Sequence, residues 1–244
     1  MQEKYPQKPG LDFILKQAFY YWNKTLLYQL MFSIIYFAIF LTVFFYFSEK
    51  YGIIEQFLGA ASDYMKAGPE GMDEYKNQIA SIMGSDGFQN FYLAIVGVQI
   101  FLYPLNLGLF QIFRKLDLKE QIVMGDLFTG YNGLNFFRYI SYFIFWFFFY
   151  TMIAQTIILP FVWVMITLFV APLMFFQNKT IFEGIALNWK ALKLYFIEIL
   201  VCVIVAFLFK YVGFTLFLVG GLLTLPFWNA MIYSLYKTIF DEKS

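Results

Sequence analysis

The sequence predicts an all-α, polytopic membrane protein with six transmembrane helices arranged as three hairpins. Apolar residues make up 61% of the chain and aromatic residues 24%, more than a soluble domain of 244 residues could enclose in its interior. The apolar residues are also concentrated in stretches of about 20, the length of helix that crosses about 30 Å of hydrocarbon. Both observations place the chain in a lipid bilayer.

Six such stretches follow one another in a single membrane domain, 1–244. We predict spans near 26–47, 91–113, 137–154, 156–177, 194–211 and 213–235. A tight turn around Gln155 and Pro160 would join the third and fourth spans, and a turn at 210–213 would join the last two. Pro104 and Pro226 lie 122 residues apart and should each kink or break a span. Their spacing indicates either an internal repeat of hairpins or a coincidence of two prolines.

Three amphipathic stretches precede spans on the side of the membrane that holds the termini. They are Leu11–Lys24, Gly125–Arg138 and Thr180–Lys193, and each carries apolar residues at helical spacing. We expect amphipathic interfacial helices here, with lysine and tryptophan at headgroup level. The alternative is that these stretches are only the water-exposed ends of long spans.

The distribution of lysine and arginine predicts the orientation. With six spans both termini share one side, which carries 13 Lys and Arg residues, and the opposite side carries 4. The positive-inside rule therefore predicts cytoplasmic N and C termini. The abundance of Phe, Ile, Lys and Asn suggests an AT-rich bacterial genome, so we expect the inner membrane.

The loop 48–90 is then extracytoplasmic, and its sequence predicts two helices. Ile53–Lys66 and Met72–Met83 have helical periodicity, and the glycine- and proline-containing stretch 68–71 separates them. Four apolar residues of these helices are candidates for binding a partner protein: Phe57, Leu58, Met65 and Ile82. The alternative is that they pack on the protein's own spans or on lipid.

Two absences restrict the chemistry. The chain has no histidine and one cysteine, so it has neither a histidine base nor a histidine or multi-cysteine metal site. It also lacks a phosphate-binding glycine loop and a nucleophile elbow. We therefore predict no catalytic residues, no metal, no cofactor and no nucleic-acid partner.

Polar residues inside the predicted spans are the remaining candidates for a functional site. Glu198 is the first of them, because a carboxylate within a membrane is costly unless it is paired or hydrated. A nearby lysine or solvent at the membrane edge would give it a purely structural role. Gln99, Asn106 and Asn229 could line a polar path with it if they converge, or could each stabilise helix packing.

The second half of the sequence also resembles a known family. The residues that carry the resemblance are Gly125-Asp126-Leu127-Phe128-Thr129-Gly130-Tyr131, Ala171-Pro172-Leu173, Glu183-Gly184-Ile185-Ala186, Val219-Gly220-Gly221-Leu222-Leu223-Thr224-Leu225-Pro226 and Tyr233. They resemble a bacterial family of poorly characterised six-span integral membrane proteins, related to the membrane domain fused to some glycerophosphodiester phosphodiesterases. The resemblance implies a fold and a compartment and brings no catalytic residues.

Three classes of function follow from these observations. The first is a non-enzymatic accessory or scaffold subunit of a membrane assembly, whose partners are membrane lipids and other integral membrane or periplasmic proteins. The second is a small transporter or lipid-handling protein with a polar path near Glu198. The third is a membrane enzyme acting on lipid through interfacial carboxylates such as Asp117, Glu120 or Asp126.

Overall fold

The computed structural model describes residues 10–156, 158–215 and 217–240, and these are helical with short connections. Its α-helices in chain order are α1 (Leu11–Lys24), α2 (Leu26–Lys50), α3 (Ile53–Ala67), α4 (Met72–Gly84), α5 (Asp86–Leu102), α6 (Leu105–Leu118), α7 (Asn135–Ile153), α8 (Ile158–Thr167), α9 (Val170–Gln177), α10 (Ile181–Leu194), α11 (Phe196–Thr215), α12 (Phe217–Thr224) and α13 (Phe227–Phe240). Two 3-10 segments, Gly68–Gly71 and Met124–Tyr131, complete the described elements. The predicted all-α fold is confirmed over the described residues.

Five helical segments are long and apolar enough to cross a membrane. They are Leu26–Lys50, Asp86–Leu118, Asn135–Ile153, Ile158–Gln177 and Phe196–Gly213. Many of their large apolar side chains are exposed, as in helices whose outer face meets lipid. These segments are those of a helical membrane protein. These five segments correspond to the first five predicted spans. The sixth predicted span corresponds to α12 with α13. Ile157 and Leu216, at the edges of two predicted spans, lie outside the described residues.

The turn predictions had mixed outcomes. Gln155 lies in the connection between α7 and α8, as predicted, whereas Pro160 is the third residue of α8, where a proline removes no intrahelical hydrogen bond. The turn predicted at 210–213 is wrong, because α11 continues through these residues to Thr215. Lys210, the first residue of the predicted turn, is therefore part of a helix.

The chain forms two compact units, residues 1–34 with 103–244, and residues 35–102. The second unit contains most of α2 together with α3, α4 and α5, and the two helices predicted in the loop are confirmed. Within it α3 and α4 pack together, with the rings of Tyr64 and Tyr75 5.2 Å apart. The first unit holds the larger core.

Each of three chain segments in the first unit begins with a short entry element. These are α1, the 3-10 segment Met124–Tyr131, and α10, and each precedes a long helix (α2, α7 and α11). Thr25 ends α1 and Tyr195 ends α10, so both are separate helices and not the ends of the long helices that follow. This confirms two of the three predicted amphipathic helices as distinct elements; their position in the interface stays a prediction.

The chain then returns through a helix that is interrupted midway. A two-residue turn lies at Tyr103-Pro104, at Leu168-Phe169 and at Leu225-Pro226, and the helices that follow these turns, α6, α9 and α13, are mostly buried. The predicted breaks at Pro104 and Pro226 are confirmed. In the second segment Pro172 lacks the N–H that would bond to the carbonyl of residue 168, which accounts for a break just before α9.

The three segments close into a ring. The entry helix α10 packs on α9, the segment Met124–Tyr131 packs on α6, and α1 packs on α13. Each entry element thus contacts the return helix of the preceding segment, and the first entry helix contacts the last return helix. Two close approaches depend on glycine, because a Cβ at Gly108 would collide with the backbone of Leu127, and one at Gly130 with the backbone of Pro104.

The first and third segments are structural repeats. Helices α1 and α10 each have 14 residues and start 170 residues apart, and α6 and α13 each have 14 residues and start 122 residues apart. Buried positions keep the same offset: Ile14, Ala18 and Tyr21 match Gly184, Asn188 and Ala191. The two offsets differ by 48 residues, because the first segment contains α3, α4 and their connections and because its α2 and α5 are longer than α11 and α12.

Candidate functional site

A cavity of about 550 Å³ lies in the first unit, among the three interrupted return helices and the long helices α7 and α11. Ten of its twenty lining residues are aromatic: Tyr103, Phe110, Tyr142, Phe143, Trp146, Tyr150, Phe161, Phe207, Tyr211 and Trp228. The volume is within the range of small-molecule sites, about 300–1,000 Å³, and such sites are mostly apolar with a few placed polar groups.

The helix breaks explain where the cavity lies. Asn106, Ala171 and Trp228 each stand three residues beyond the first residue of a break, and all three line the cavity. One equivalent position from each return helix therefore faces the same space, as expected for repeats arranged around a common axis.

The backbone groups freed at the breaks are satisfied by protein side chains. At the second break the fully buried Asn188 accepts a hydrogen bond from the N–H of Phe169 (2.9 Å) and donates one to the carbonyl of Met165 (2.8 Å). At the third break the Trp22 indole donates to the carbonyl of Leu223 (2.9 Å). Non-helical backbone at membrane depth requires such partners.

The aromatic wall of the cavity is fixed by hydrogen bonds and ring contacts. The Trp146 indole donates to the Thr167 hydroxyl (2.8 Å), and the Tyr142 hydroxyl donates to the Thr167 carbonyl (3.2 Å). Trp146 stacks on Tyr150 with ring centroids 4.8 Å apart. Because these lining side chains hold one another in place, the aromatic wall is preformed.

Two of the predicted polar residues meet at this cavity. The side-chain amide of Asn229 donates to the side-chain oxygen of Asn106 (3.1 Å), and the amide of Asn106 donates to the carbonyl of Tyr103 (2.8 Å). Both asparagines line the cavity. The side-chain oxygen of Asn229 has no hydrogen-bond donor among the residues the structure describes, so it can accept one from a bound molecule.

Lys210 is the charged residue of the cavity lining, which contains no acidic side chain. Over residues 10–156, 158–215 and 217–240 its ammonium group has neither an ion pair nor a hydrogen bond. A cation in aromatic surroundings without a counter-ion is costly unless water or a ligand compensates it. The cavity consequently combines an apolar wall with a positive charge.

The other two predicted polar residues are not among the lining residues. Glu198 lies on the same helix as Lys210 but about 18 Å before it, at 1.5 Å per residue. Gln99 belongs to α5 in the second unit. The structure therefore brings together Asn106 and Asn229 but does not place Glu198 or Gln99 with them at the cavity.

A second polar cluster joins three elements of the ring. Asp117 of α6 accepts hydrogen bonds from the hydroxyls of Tyr21 of α1 and Tyr233 of α13, both at 2.9 Å, and pairs with Lys237 of α13 at 2.9 Å. Asp126 pairs with Lys115 at 2.7 Å. Two of the three carboxylates named for an enzymatic role are thus engaged in holding helices together, and Glu120 is exposed.

The predicted partner-binding residues all lie in the second unit. Leu58 and Met65 are 64% and 76% exposed, and their spacing of seven places them on one face of α3. Phe57 is half-buried, with its ring 6.1 Å from that of Phe88, and Ile82 of α4 is half-buried as well. Only Leu58 and Met65 are thus largely exposed.

Within the described part of the chain, no group of three or more His, Cys, Asp or Glu side chains could hold a metal ion. The fold is that of a helical membrane protein, and it contains a half-open, largely aromatic cavity. Comparison with protein-family models, with curated proteins and with solved structures found no match for this chain. The resemblance to the six-span family related to phosphodiesterase-fused membrane domains stays a prediction.

Proposed function

We propose that this chain is a non-enzymatic, six-span protein of a bacterial inner membrane that binds a lipid-like molecule in the aromatic cavity. The observation that carries the proposal is the cavity itself: about 550 Å³ of preformed space, half of whose lining residues are aromatic, in a membrane protein. Membrane lipids are the most abundant amphiphiles that such a space can meet. The polar path proposed near Glu198 is replaced by the cavity at Asn106 and Asn229.

The topology of this proposal rests on two supports. A sixth span made of α12 and α13 is supported by their break at Pro226, which matches the break of the second span at Pro104. Cytoplasmic termini are supported by the excess of 13 Lys and Arg residues over 4 on the opposite side, one of which, Lys210, lies within α11. Labelling of single cysteines, at Ser62 in the loop and at Asn132 between α6 and α7, with a membrane-impermeant maleimide tests this topology. We expect only the Ser62→Cys variant to react in intact cells.

Two neighbouring valines of α8 provide a matched test of the cavity. Val164 lines it, whereas Val162 does not and is 38% exposed. Val164→Phe should therefore reduce the space, and Val162→Phe should add the same volume on the outer side. The measurement is the amount of each lipid that copurifies with the protein in mild detergent, by mass spectrometry.

We expect one class of lipid to be enriched on the wild-type protein, retained by Val162→Phe and depleted on Val164→Phe. Equal lipid profiles for the two variants would contradict the proposal, as would a wild-type protein whose bound lipids mirror the composition of the membrane. Equal thermal stability of the two variants is the control for folding.

A second candidate function, an accessory subunit of a membrane assembly, is favoured by the exposed face of α3. Leu58 and Met65 are the two most exposed of the predicted contact residues. The double variant Leu58→Glu with Met65→Glu should release a stoichiometric partner from a mild-detergent pull-down while leaving lipid binding intact. An unchanged set of copurifying proteins would argue against this role.

A further inference from the structure

The charge of the cavity points to the chemistry of the ligand. Resting on the proposed function, we infer that the molecule bound in the cavity is an anionic amphiphile, whose acidic headgroup pairs with Lys210 while its apolar chain lies against the aromatic wall.

The first step of the argument is the charge balance of the site. Lys210 faces the cavity without an acidic neighbour in the lining and without an ion pair among the described residues. The other lysines that line packed regions of this unit, Lys115 and Lys237, each have an aspartate at 2.7 Å and 2.9 Å. Among the described residues, the two packed lysines thus have counter-ions and the lysine at the cavity has none.

The second step is the direction of the cavity along α11. Val203, Phe207 and Lys210 line it at the helical spacing i, i+4, i+7, which covers about 10 Å of helix axis. One end of this face is cationic and the other is apolar. A molecule that matches it has an acidic group at one end and a hydrocarbon chain at the other.

The third step excludes a cationic or purely apolar occupant. A cation would meet the Lys210 charge in a medium of low dielectric, where like charges repel strongly. A neutral hydrocarbon would leave that charge without compensation. Carboxylate and phosphate both provide the anionic oxygen that a lysine ammonium binds, so fatty acids and acidic phospholipids share the required chemistry.

The same residue has an alternative structural role, which the experiment must separate from ligand binding. A lysine in a transmembrane helix can extend its ammonium group to the membrane surface and anchor the helix there. In that case Lys210 would affect insertion or stability but not the choice of ligand. Charge selectivity is therefore the decisive measurement.

Brominated probes are suited to this test, because Trp146 and Trp228 line the cavity and bromine quenches indole fluorescence on contact. Four probes with the same brominated chain are compared: a fatty acid, a phosphatidic acid, a fatty alcohol and an alkyl trimethylammonium. Each is titrated in a nonionic detergent against wild type, Lys210→Gln and Lys210→Arg. Lys193→Gln removes a lysine that lies over the Trp189 ring, outside the cavity, and is the matched control.

For the wild type we expect the fatty acid or the phosphatidic acid to bind at least tenfold more tightly than the alcohol, and the ammonium probe to bind weakest. Lys210→Gln should remove this preference while the alcohol still binds, which shows that the variant is folded. Lys210→Arg and Lys193→Gln should keep it. Whichever of the two acids binds more tightly identifies the headgroup as a carboxylate or a phosphate.

Two results would overturn this inference without overturning the proposed function. They are equal affinity of the wild type for acid and alcohol, and an acid preference that persists in Lys210→Gln. In both cases the alcohol still quenches, and the proposed lipid site stands. If none of the probes quenches the wild-type protein, the proposed function itself fails.

Discussion

The first and third segments of the chain have matching helices, but different side chains of their entry helices support the neighbouring helix breaks. Their entry helices have the same length and bury residues at the same positions, and their return helices break at matching sites, Pro104 and Pro226. Yet the position that carries Asn188 in α10 carries Ala18 in α1. In the ring, α10 supports its neighbouring break through Asn188, and α1 supports its neighbouring break through Trp22 one turn further along.

This difference shows that the repeat preserves a backbone arrangement and not particular side chains. The backbone arrangement is kept because each interrupted helix exposes carbonyl and N–H groups that must find partners away from water. The side chain that provides the partner is not fixed. The repeats can therefore be recognised by helix lengths and buried positions more readily than by residue identity.

The largest expected effect concerns the glycine contacts of the ring. Gly108→Ala would drive a Cβ into the backbone of Leu127, which belongs to the entry segment packed on α6. Gly184→Ala meets the Val170 side chain, at 3.1 Å from its Cγ1, which can yield, and gains helix propensity. By thermal unfolding in detergent we expect Gly108→Ala to lose several kcal/mol, more than the about 1–3 kcal/mol of ordinary overpacking, because the clash is with backbone. Gly184→Ala should be nearly neutral.

Gly125→Ala is the control for the glycine series, because a Cβ there meets nothing within 4 Å. Equal unfolding temperatures for Gly108→Ala and Gly125→Ala would show that the entry segment does not pack on α6 as closely as described.

Replacing the side chains that support the second and third breaks should have an intermediate effect on stability. Asn188→Ala leaves two buried backbone groups of the second break without partners, at a cost of about 1–3 kcal/mol each when unsatisfied. Trp22→Phe removes one hydrogen bond from a half-buried indole, worth about 0.5–1.5 kcal/mol. Hydrogen exchange followed by mass spectrometry should show faster exchange at 165–170 in the first variant. If Trp22→Phe destabilised the protein more, the two breaks would not be equivalent.

The smallest expected effect on stability comes from the capping of the entry helices at their N-termini. In α10, Thr180 donates two hydrogen bonds to the Glu183 carboxylate, from its backbone N–H (2.8 Å) and its hydroxyl (2.9 Å), and these lower the pKa of Glu183 below its ordinary value of 4.5. Since the folded-state pKa is lowered, the stabilisation is present above pH 4.5 and is lost as the pH falls through the lowered pKa. Helix α1 has no side-chain cap at Gly10.

Glu183→Gln should therefore lower the unfolding temperature slightly at neutral pH, and the difference from wild type should close in acid. Glu120→Gln, at an exposed carboxylate without an ion pair among the described residues, is the control and should leave the unfolding temperature unchanged at both pH values. A difference for Glu183→Gln that is independent of pH would argue against the capping role.

The sequence predicted the helices well because their signals are local. Apolar runs set the five long helical segments, and Gly68-Pro69-Glu70-Gly71 separates α3 from α4 as expected. Pro104 and Pro226 marked two of the three breaks. Pro172 likewise predicts an interrupted span, and the break lies just before it, at Leu168-Phe169, because the proline cannot bond to the carbonyl of Leu168.

The site could be predicted only in part because it depends on contacts between distant segments. Asn106 and Asn229 were selected as polar residues in apolar runs, but their hydrogen bond joins α6 to α13. Lys210 was assigned to a turn between the last two spans, and only the continuation of α11 shows that it lies in a helix and lines the cavity. The aromatic wall had no distinct signal among 34 phenylalanines and 19 tyrosines.

The closed ring has a consequence for biosynthesis. Helix α1 leaves the ribosome long before its packing partner α13, because the two helices are far apart in the chain. Ser234 reaches back to the carbonyl of Ile14 across 220 residues. Until α13 has been translated and inserted, the α1 surface that it covers stays open to chaperones or to the wrong helix, and the membrane domain can be completed only after synthesis has passed its final helix.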